Sequence, residues 1–347
     1  MSLEEYTGKK VYMGIDVHRR QYTVCCRCEG VVVKRASMPG RPLELVRFIG
    51  KHLAGAEVYS VYEAGFSGFG LHRLLTEAGV RSMVVHAASI EVSLKKAKTD
   101  RRDAQKMAEQ LEAGRLKGIR VPSETEELLR LKTRLREQLV RGRTRLRNQI
   151  RMRLHYFGQI DPFDDRVLGR SLLAELRKEG LLPELDETLQ AMERVWTVLD
   201  EEIRRIDKSL TEGVSVELVR LYRSVPGFGN LIAMTLAREL GDLSQFSNEK
   251  QLFSFTGLTP SEFTTDDARH LGHITRQGSS RLRHLLVQAA WVAVKKDAAM
   301  HAVFNRIAAK AGKKRAIVAI ARKLIGRARA VVMKKENYRL GEQKLAA

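Results

Sequence analysis

The sequence predicts an α/β domain with a mixed sheet, followed by a mainly α-helical region. Three observations support this prediction. The first part of the chain holds five short segments rich in β-branched residues, which favour strands. Helical segments separate the later members of this series, as crossover connections between parallel strands require. From residue 121 onward, the residue pattern is helical over long stretches.

The five predicted strands have connections of two different lengths. The strands are residues 11–17, 22–28, 31–36, 57–62 and 80–85. The connections HRRQ and EG between the first three are short enough for antiparallel hairpins. Residues 42–54 and 68–78 are predicted to be helices that lead to the fourth and fifth strands. With a last helix beginning at KTDRRDA, the order β-β-β-α-β-α-β-α is the layout of the ribonuclease H-like fold.

A long basic helix is predicted from residue 121. Between Arg130 and Arg153 it carries ten Lys or Arg residues and one acid, Glu137. Like charges at this density repel one another unless they are neutralised, so we expect phosphate contacts; a solvated basic face is the alternative. The residues expected to make these contacts are Arg134, Arg141 and Arg145.

The next helical segment, from PELDETLQ onward, carries an apolar seam. Its members alternate spacings of four and three residues, as a coiled coil requires. They are Leu185, Leu189, Met192, Trp196, Leu199, Ile203, Ile206 and Leu210. The sequence leaves open whether this seam packs on the basic helix of its own chain, on a second protomer, or on both.

A glycine-rich turn, VPGFGN, lies between two further helical stretches. It resembles a helix-hairpin-helix, in which backbone N–H groups and a helix N-terminus bind a phosphate without reading sequence. Gly227 and Gly229 are the candidate phosphate contacts, and a plain turn between packed helices is the alternative. Beyond it follows a basic, Ala-rich helical tail.

Composition narrows the class of partner. The 347 residues include 62 Lys or Arg and 41 Asp or Glu, a formal net charge of +21. A polyanion, foremost nucleic acid, is therefore the expected partner. Without a membrane-spanning apolar run or a signal-peptide pattern, we expect a soluble cytoplasmic protein, associated with the nucleoid and not with a membrane. The three cysteines, all in VCCRC, are expected to be reduced strand residues rather than zinc ligands.

Four acidic residues form the candidate catalytic site. Asp16 lies in the first strand among apolar neighbours, where a charge is costly unless an ion pair or a metal compensates it. Glu63 ends the fourth strand, and Asp100 and Asp103 open the last helix on one face. Stabilising that helix start is the local alternative. Phosphodiester chemistry with two metal ions needs three or four converging carboxylates, so we expect these four to bind two Mg²⁺ ions.

These motifs resemble those of a known family. MGIDVHRR, YEAG and KTDRRDA resemble the Asp-Glu-Asp-Asp motifs of insertion sequence 110 family transposases and site-specific recombinases, including Piv-type DNA invertases. VPGFGNLIAM and GHITRQGSSRLR resemble parts of that family's C-terminal transposase domain. The resemblance implies a RuvC-like domain whose metal-binding acids match Asp16, Glu63, Asp100 and Asp103. It also implies Mg²⁺-dependent recombination of DNA, dimers that pair into tetramers, and, for many members, a structured guide RNA encoded by the element.

By the resemblance, we expect the chain to divide into three parts. Residues 1–120 are expected to form the RuvC-like catalytic domain, and residues 121–214 the basic helix and coiled-coil region for oligomerisation. Residues 215–347 are expected to form the mainly α C-terminal transposase domain with its basic tail. In that last part, Arg276, Arg281 and Arg283 are candidate nucleic-acid contacts.

The sequence departs from the family at the position of the catalytic serine. The family's C-terminal domain carries a serine thought to attack the DNA phosphate, in the pattern Pro, four residues, Ser-Gly. Counting from Pro260, Thr265 stands at the serine position and Asp266 at the glycine position. Thr265 is a candidate nucleophile, although its extra methyl group crowds an in-line attack. Two alternatives remain open: Ser261 or Thr264 replaces it after a local shift, or the covalent step is lost.

By this resemblance we expect a DNA transposase or site-specific recombinase of a mobile element, guided by a structured RNA. One alternative is a hydrolytic RuvC-like nuclease or junction resolvase, in which a metal-activated water replaces the hydroxyl nucleophile. The other is a domesticated nucleic-acid-binding protein without strand-transfer chemistry.

Overall fold

The structure, a computed structural model, describes residues 6–90, 99–265 and 268–340, and only the backbone of residues 263–271 among them. The chain divides into two compact units, Met1–Pro122 and Ser123–Ala347. The first unit ends close to the predicted boundary at residue 120. The predicted boundary at residue 214 falls within the second unit, and the division of that unit into two domains stays a prediction. None of the helices in the described ranges combines the length and apolarity that a membrane span needs.

The first unit is a five-stranded sheet with helices. Its strands and α-helices are β1 (Lys10–Val17), β2 (Gln21–Cys28), β3 (Val31–Pro39), α1 (Pro42–His52), β4 (Glu57–Glu63), α2 (Gly70–Glu77), β5 (Arg81–Val85) and α3 (Asp100–Glu112). The strand order is β3-β2-β1-β4-β5. The first three strands are antiparallel, and β4 and β5 run parallel to β1. The mixed sheet is confirmed, and it is consistent with the ribonuclease H-like layout.

The central strand β1 is covered on both faces of the sheet. Val11, Met13 and Ile15 are buried in the core that also contains apolar residues of α1 and α2. Tyr12, on the alternate face, packs with the cluster to which α3 contributes Met107. The two-sided cover explains why β1 reads as an apolar run, in which a carboxylate stands out.

The second unit is mainly α-helical. Its elements are α4 (Glu124–Tyr156), α5 (Arg170–Glu179), α6 (Pro183–Ser209), α7 (Val216–Ser224), α8 (Asn230–Leu240), α9 (Glu249–Thr256), β6 (Pro260–Thr265), β7 (Ala268–Ile274), α10 (Ser280–Lys296), α11 (Ala298–Ala311) and α12 (Lys313–Lys334). The antiparallel hairpin β6–β7 is an addition to what the sequence predicts. It carries the position of the candidate nucleophile.

The apolar seam of α6 packs against α4 of the same chain. Leu185, Leu189 and Trp196 share a buried cluster with Ile150 and Leu154 of α4. Acidic residues of α6 pair with basic residues of α4 in reversed order along the chain, so the two helices are antiparallel. These pairs are Arg136 with Asp207 and Arg143 with Asp200. The first half of the seam therefore packs within the chain, and packing of the seam on a second protomer as well stays a prediction.

A buried arginine joins three helices of the second unit. Arg238 of α8 is only 3% exposed. Its guanidinium donates hydrogen bonds to the main-chain carbonyls of Leu129 on α4 and of Ser209, Leu210 and Glu212 at the end of α6. Burial lowers the pKa of this guanidinium. The carbonyls at the C-terminal end of α6 offset part of the cost of burying the charge, because that end of a helix is electronegative.

Candidate metal centre and nucleic-acid interface

The candidate metal centre lies at the end of β1. Asp16 is paired with Thr23 of β2, and its side chain is 20% exposed. On the other side of β1, the parallel register with β4 pairs Ile15 with Tyr62. The next residue on each strand is an acid, so Asp16, one residue before the end of β1, and Glu63, the last residue of β4, lie on neighbouring strands at the same end of the sheet.

A glycine allows α3 to pack closely on β1. A Cβ atom at Gly14 would lie 2.0 Å from the carbonyl oxygen of Ala104 and 2.6 Å from the amide nitrogen of Ala108. Since both are backbone atoms of α3, a side chain here would force the helix away from the strand. Asp100 and Asp103 lie in the first turn of α3. The close packing therefore carries the start of this helix to the end of β1.

A histidine connects the first two carboxylates. The Nε2 atom of His18 lies 3.3 Å from Oδ2 of Asp16 and 3.4 Å from Oδ1 of Asp100. One ligand atom from each of these three residues lies within 4.8 Å of the others, as in a metal site. Within the described residues, Asp16, His18 and Asp100 thus form the group of His, Cys, Asp or Glu side chains that are close enough together to hold one metal ion.

Electrostatics place Asp103 near the same site. Burial raises the pKa of the Asp16 carboxyl, and the His18 charge and hydrogen bond lower it. The negative charges of Asp100 and Asp103 raise this pKa further, so both act on Asp16. Glu63 is exposed and comes to the same end of the sheet by strand register. The structure thus gathers Asp16 and Asp100 tightly, with Asp103 within electrostatic reach and Glu63 on the adjacent strand.

The candidate nucleophile lies on the β6–β7 hairpin. Thr265 is the last residue of β6 and pairs with Ala268, while the position of Asp266 lies outside the described residues. The side chains of Thr264 and Thr265 also lie outside the description. The hydroxyl of Ser261 donates a 2.9 Å hydrogen bond to the main-chain carbonyl of His273. Ser261 is thus engaged within the hairpin.

The arginines of α4 face in several directions. One group faces α6 and the segment before α5. Arg136 pairs with Asp207, and Arg143 lies 2.9 Å from Asp200. Arg147 and Arg151 donate hydrogen bonds to main-chain carbonyls of the segment between α4 and α5. Two of these arginines thus neutralise carboxylates of their own chain, and the other two donate hydrogen bonds to its main-chain carbonyls.

Another face of α4 lines an open groove. The volume of the groove is about 630 Å³, and residues of α4 together with one histidine of α10 line it. Its polar lining residues are Arg141, Thr144, Arg145, Asn148, Gln149, Arg153 and His284. Cationic and amide groups along one helix face can bind a phosphate backbone. The predicted contacts Arg141 and Arg145 both line this groove.

Two other residues that are predicted to contact nucleic acid, Arg134 and Arg281, form ion pairs with a buried acid. The side chain of Glu239 on α8 is only 4% exposed. Its carboxylate lies 3.0 Å from Nη2 of Arg134 on α4 and 3.0 Å from Nη1 of Arg281 on α10. Arg281 also pairs with Glu137. This ion-pair network joins three helices, so Arg134 and Arg281 have structural partners besides any role in binding nucleic acid.

Of the remaining residues that are predicted to contact nucleic acid, some are packed within the chain and others are exposed. Gly227 has φ +86°, and a Cβ there would lie 2.2 Å from the carbonyl oxygen of Ala289, so tight packing on α10 explains this glycine. Gly229 is exposed at the start of α8. Arg276 is exposed, and Arg283 donates a 3.3 Å hydrogen bond to the carbonyl of Thr256. Phosphate binding by these residues stays a prediction.

Sequence reasoning missed several residues of both candidate sites. His18 is in the motif MGIDVHRR, and its position two residues after Asp16 was the available signal, because alternate strand residues share a face. Asn148 and Arg153 follow Arg141 and Arg145 at helical spacings. His284 comes from another helix, and nothing in its local sequence indicates the groove.

Two family models match the chain. The first, described as a transposase and designated DEDD for IS110 elements, matches residues 13–157. The second, described as Transposase IS116/IS110/IS902 family, matches residues 219–305. The first model spans the end of β1, β4 and the start of α3, and the second spans the β6–β7 hairpin and α10.

Individual proteins with transposase names are also similar to this chain. "Putative transposase y4qE" of Sinorhizobium fredii is 32% identical over 67% of this chain, and the match spans only 58% of that relative's length. "Transposase for insertion sequence element IS1111A" of Coxiella burnetii is 26% identical over 78% of this chain and 76% of its own length. "Probable family 20 transposase" of Pseudomonas aeruginosa is 26% identical over 83% of this chain and 82% of its own length.

Proposed function

Because this chain belongs to the IS116/IS110/IS902 family of transposases, we propose that it cuts and rejoins DNA strands of a mobile element with divalent metal ions. The observation that carries the proposal is the meeting of Asp16 and Asp100 at one end of the sheet, with Asp103 within electrostatic reach. These acids come from a central strand and a helix start that are far apart in sequence. Local capping of a helix gives no reason for Asp16 to lie beside them.

The donor groups fit Mg²⁺. Carboxylate oxygens are the hard ligands that this ion prefers, and the partly buried negative charge around Asp16 favours a cation there. Asp16, Glu63, Asp100 and Asp103 would hold the ions, two in number by the chemistry of two-metal phosphodiester cleavage. When bound, Mg²⁺ would stabilise charge on the attacking and leaving oxygens of the phosphodiester. The protein's own contribution is to orient these carboxylates on two strands and one helix.

We assign Thr265 as the nucleophile. The resemblance gives this position to the attacking hydroxyl, and a threonine hydroxyl can perform the same displacement. The hydrogen bond from Ser261 to the carbonyl of His273 supports Thr265 over Ser261, because it holds the Ser261 hydroxyl on the main chain of the neighbouring strand. In the proposed step, the Thr265 hydroxyl loses its proton to solvent and its oxygen forms a bond to phosphorus, while the bond to the leaving DNA oxygen breaks and that oxygen takes up a proton.

We propose that the groove along α4 binds the nucleic-acid backbone. Arg141 and Arg145 are exposed on this face, and Arg153 and His284 extend the row of basic groups along the groove. DNA is the substrate of the proposed reaction, and a structured guide RNA would present the same phosphate chemistry. RNA guidance rests on the resemblance, and the exposed basic face supports it only by its charge.

Assembly into dimers that pair into tetramers is also proposed from the resemblance. Part of the α6 seam is buried within the chain, and α4 offers a further apolar surface for the contact. Leu128, Leu131 and Leu135 are each about half exposed or more, and their spacings of three and four residues set them on one face of α4. A row of exposed leucines is costly in water, which supports this face as the contact with a second copy.

One experiment separates the proposal from its alternatives. A supercoiled plasmid bearing the element's ends is incubated with the protein, Mg²⁺ and the flanking RNA, and protein joined covalently to DNA is measured. We expect covalent products with the wild type and with Thr265→Ser, and none with Thr265→Ala. We expect Asp103→Asn, which removes a charge at nearly constant shape, to abolish cleavage and to leave DNA binding nearly intact.

Each other outcome has a distinct meaning. Free nicks that Thr265→Ala leaves unchanged would favour a hydrolytic nuclease or junction resolvase. Binding without any cleavage would favour a nucleic-acid-binding protein that has lost its chemistry. Cleavage by Asp103→Asn at the wild-type rate would show that the four-carboxylate assignment is wrong.

A further inference from the structure

The ring of His18 lies between two carboxylates of the candidate metal centre. Its backbone N–H donates a 2.9 Å hydrogen bond to the carbonyl of Gln21, which closes the turn between β1 and β2. The residue therefore has a fixed position directly after the end of β1. From there its Nε2 atom is nearly equidistant from Asp16 and Asp100, at 3.3 and 3.4 Å.

We propose that His18 is a ligand of the metal ion that Asp16 and Asp100 bind, through Nε2. This inference rests on the proposed function, because it concerns the same metal centre. Adjacent ligands of an octahedral Mg²⁺ ion, with bonds of about 2.0–2.1 Å, lie about 2.9 Å apart. The two distances from Nε2 exceed that spacing by only about 0.5 Å, so small side-chain movements would bring all three donor atoms onto one ion.

An ion pair between a protonated His18 and the two acids explains the geometry less well. Charge-assisted N–H···O hydrogen bonds are shorter, at about 2.7–2.9 Å. A single Nε2–H group cannot point directly at both Asp16 and Asp100, whereas a neutral imidazole and two carboxylates can share one cation. The His18 side chain is also 53% exposed, so an ion pair here would contribute little to the stability of the fold.

The proposed ligand set predicts a preference among metals. Carboxylates and water suit both Mg²⁺ and Mn²⁺, but an imidazole ligand favours ions later in the transition series over Mg²⁺. The wild-type protein should therefore bind Mn²⁺ more tightly than Mg²⁺. The preference should depend on His18 and should persist without DNA, because all three donors belong to the chain.

Mn²⁺ itself is the probe for the test. Pulsed electron paramagnetic resonance of the full-length protein with bound Mn²⁺ should show modulation from a coordinated imidazole nitrogen, and His18→Ala should lose it. Calorimetric titration should give an Mn²⁺ Kd that rises about tenfold or more in His18→Ala, by comparison with the loss of supporting groups around metal ligands. The Mg²⁺ Kd should rise less. His52→Ala, which removes a histidine of α1, is the matched control and should behave as the wild type.

The outcomes distinguish this inference from the proposed function. If Mn²⁺ binds, Asp16→Asn weakens its binding, and His18→Ala changes neither the nitrogen signal nor the affinity, the His18 assignment is overturned while the metal centre stands. If the wild type binds neither Mn²⁺ nor Mg²⁺, the metal centre and the proposed function both fail. Thermal unfolding of His18→Ala should match the wild type, because the side chain is half exposed.

Discussion

Replacement of Gly14 by alanine should displace the helix that carries half of the candidate metal centre. The added Cβ would lie 2.0 Å from the Ala104 carbonyl oxygen, which is 1.4 Å inside the 3.4 Å limit of ordinary contact. Because the atoms that it meets are backbone atoms, no rotamer change relieves the clash. We therefore expect α3 to shift from β1 by about 1 Å, with a loss in unfolding free energy of about 1–3 kcal/mol.

The displacement should have a larger effect on chemistry than on stability. Asp100 and Asp103 move with α3, whereas Asp16 stays on β1. A misplacement of about 1 Å in a catalytic site can cost about 100-fold in rate, so plasmid cleavage should fall by about that factor. The assays are metal-dependent cleavage of supercoiled plasmid and thermal unfolding of the same preparation.

Gly50 provides the matched control in the same unit. It lies in α1, where an added Cβ would meet nothing within 4 Å. Gly50→Ala should leave cleavage unchanged and raise stability by about 0.5–1 kcal/mol, because alanine favours helix over glycine. Wild-type cleavage and stability in Gly14→Ala would refute the idea that close packing of α3 on β1 builds the site.

Two further predictions concern arginines of the second unit. Arg145→Ala should weaken DNA and RNA binding and reduce the slope of log affinity against log salt by about 1, whereas Arg143→Ala, which loses the Asp200 pair, should keep the slope and lower the unfolding temperature. Equal slopes in the two variants would contradict a groove on one face of α4. Arg238→Met should lower the unfolding free energy by about 3 kcal/mol or more in denaturant titrations, since several carbonyls lose their donor. A loss below about 1 kcal/mol would contradict its role in joining the helices.

The sheet could be predicted from the sequence because its pattern is local. Each of the five strands is a short run of β-branched residues, and connection length alone separates the hairpins from the crossovers. The β6–β7 hairpin escaped prediction because PSEFTT begins with a proline and only its last three residues favour strands, and because ARHLGHI has a single β-branched residue, Ile274. Its pairing depends on register between two weak strands rather than on the propensity of either.

The four acids of the candidate metal centre could be predicted from the sequence, but the contacts that bring them together could not. Asp16, Glu63, Asp100 and Asp103 could be selected because element ends that meet at one end of the sheet can be deduced from strand order. The role of Gly14 in that meeting was not accessible, because it depends on the distance between a strand and a helix that begins far along the chain. His18 was visible in sequence, but its approach to Asp100 follows from the same tertiary contact.

Which basic residues of α4 pair within the chain depends on partners that the local sequence does not identify. Ten basic residues between positions 130 and 153 suggest one broad cationic surface. In the structure, several of them bind acids or carbonyls of α6, of the segment after α6, of α8 or of the segment before α5. These residues are Lys132, Arg134, Arg136, Arg143, Arg147 and Arg151. The acids Asp200, Asp207 and Glu239 that neutralise this group come from helices far away in sequence.

The consequence is a narrower surface for nucleic acid than the charge count suggests. Arg141, Arg145 and Arg153 lie on the face of α4 that lines the groove, at helical spacings of four and eight residues. The twelve residue steps from Arg141 to Arg153 cover about 18 Å of helix, a length that spans only a few phosphates of a duplex strand. A nucleic-acid backbone that follows this groove would therefore cross α4 over its second half, and the salt dependence of binding should count these few contacts rather than all ten basic residues.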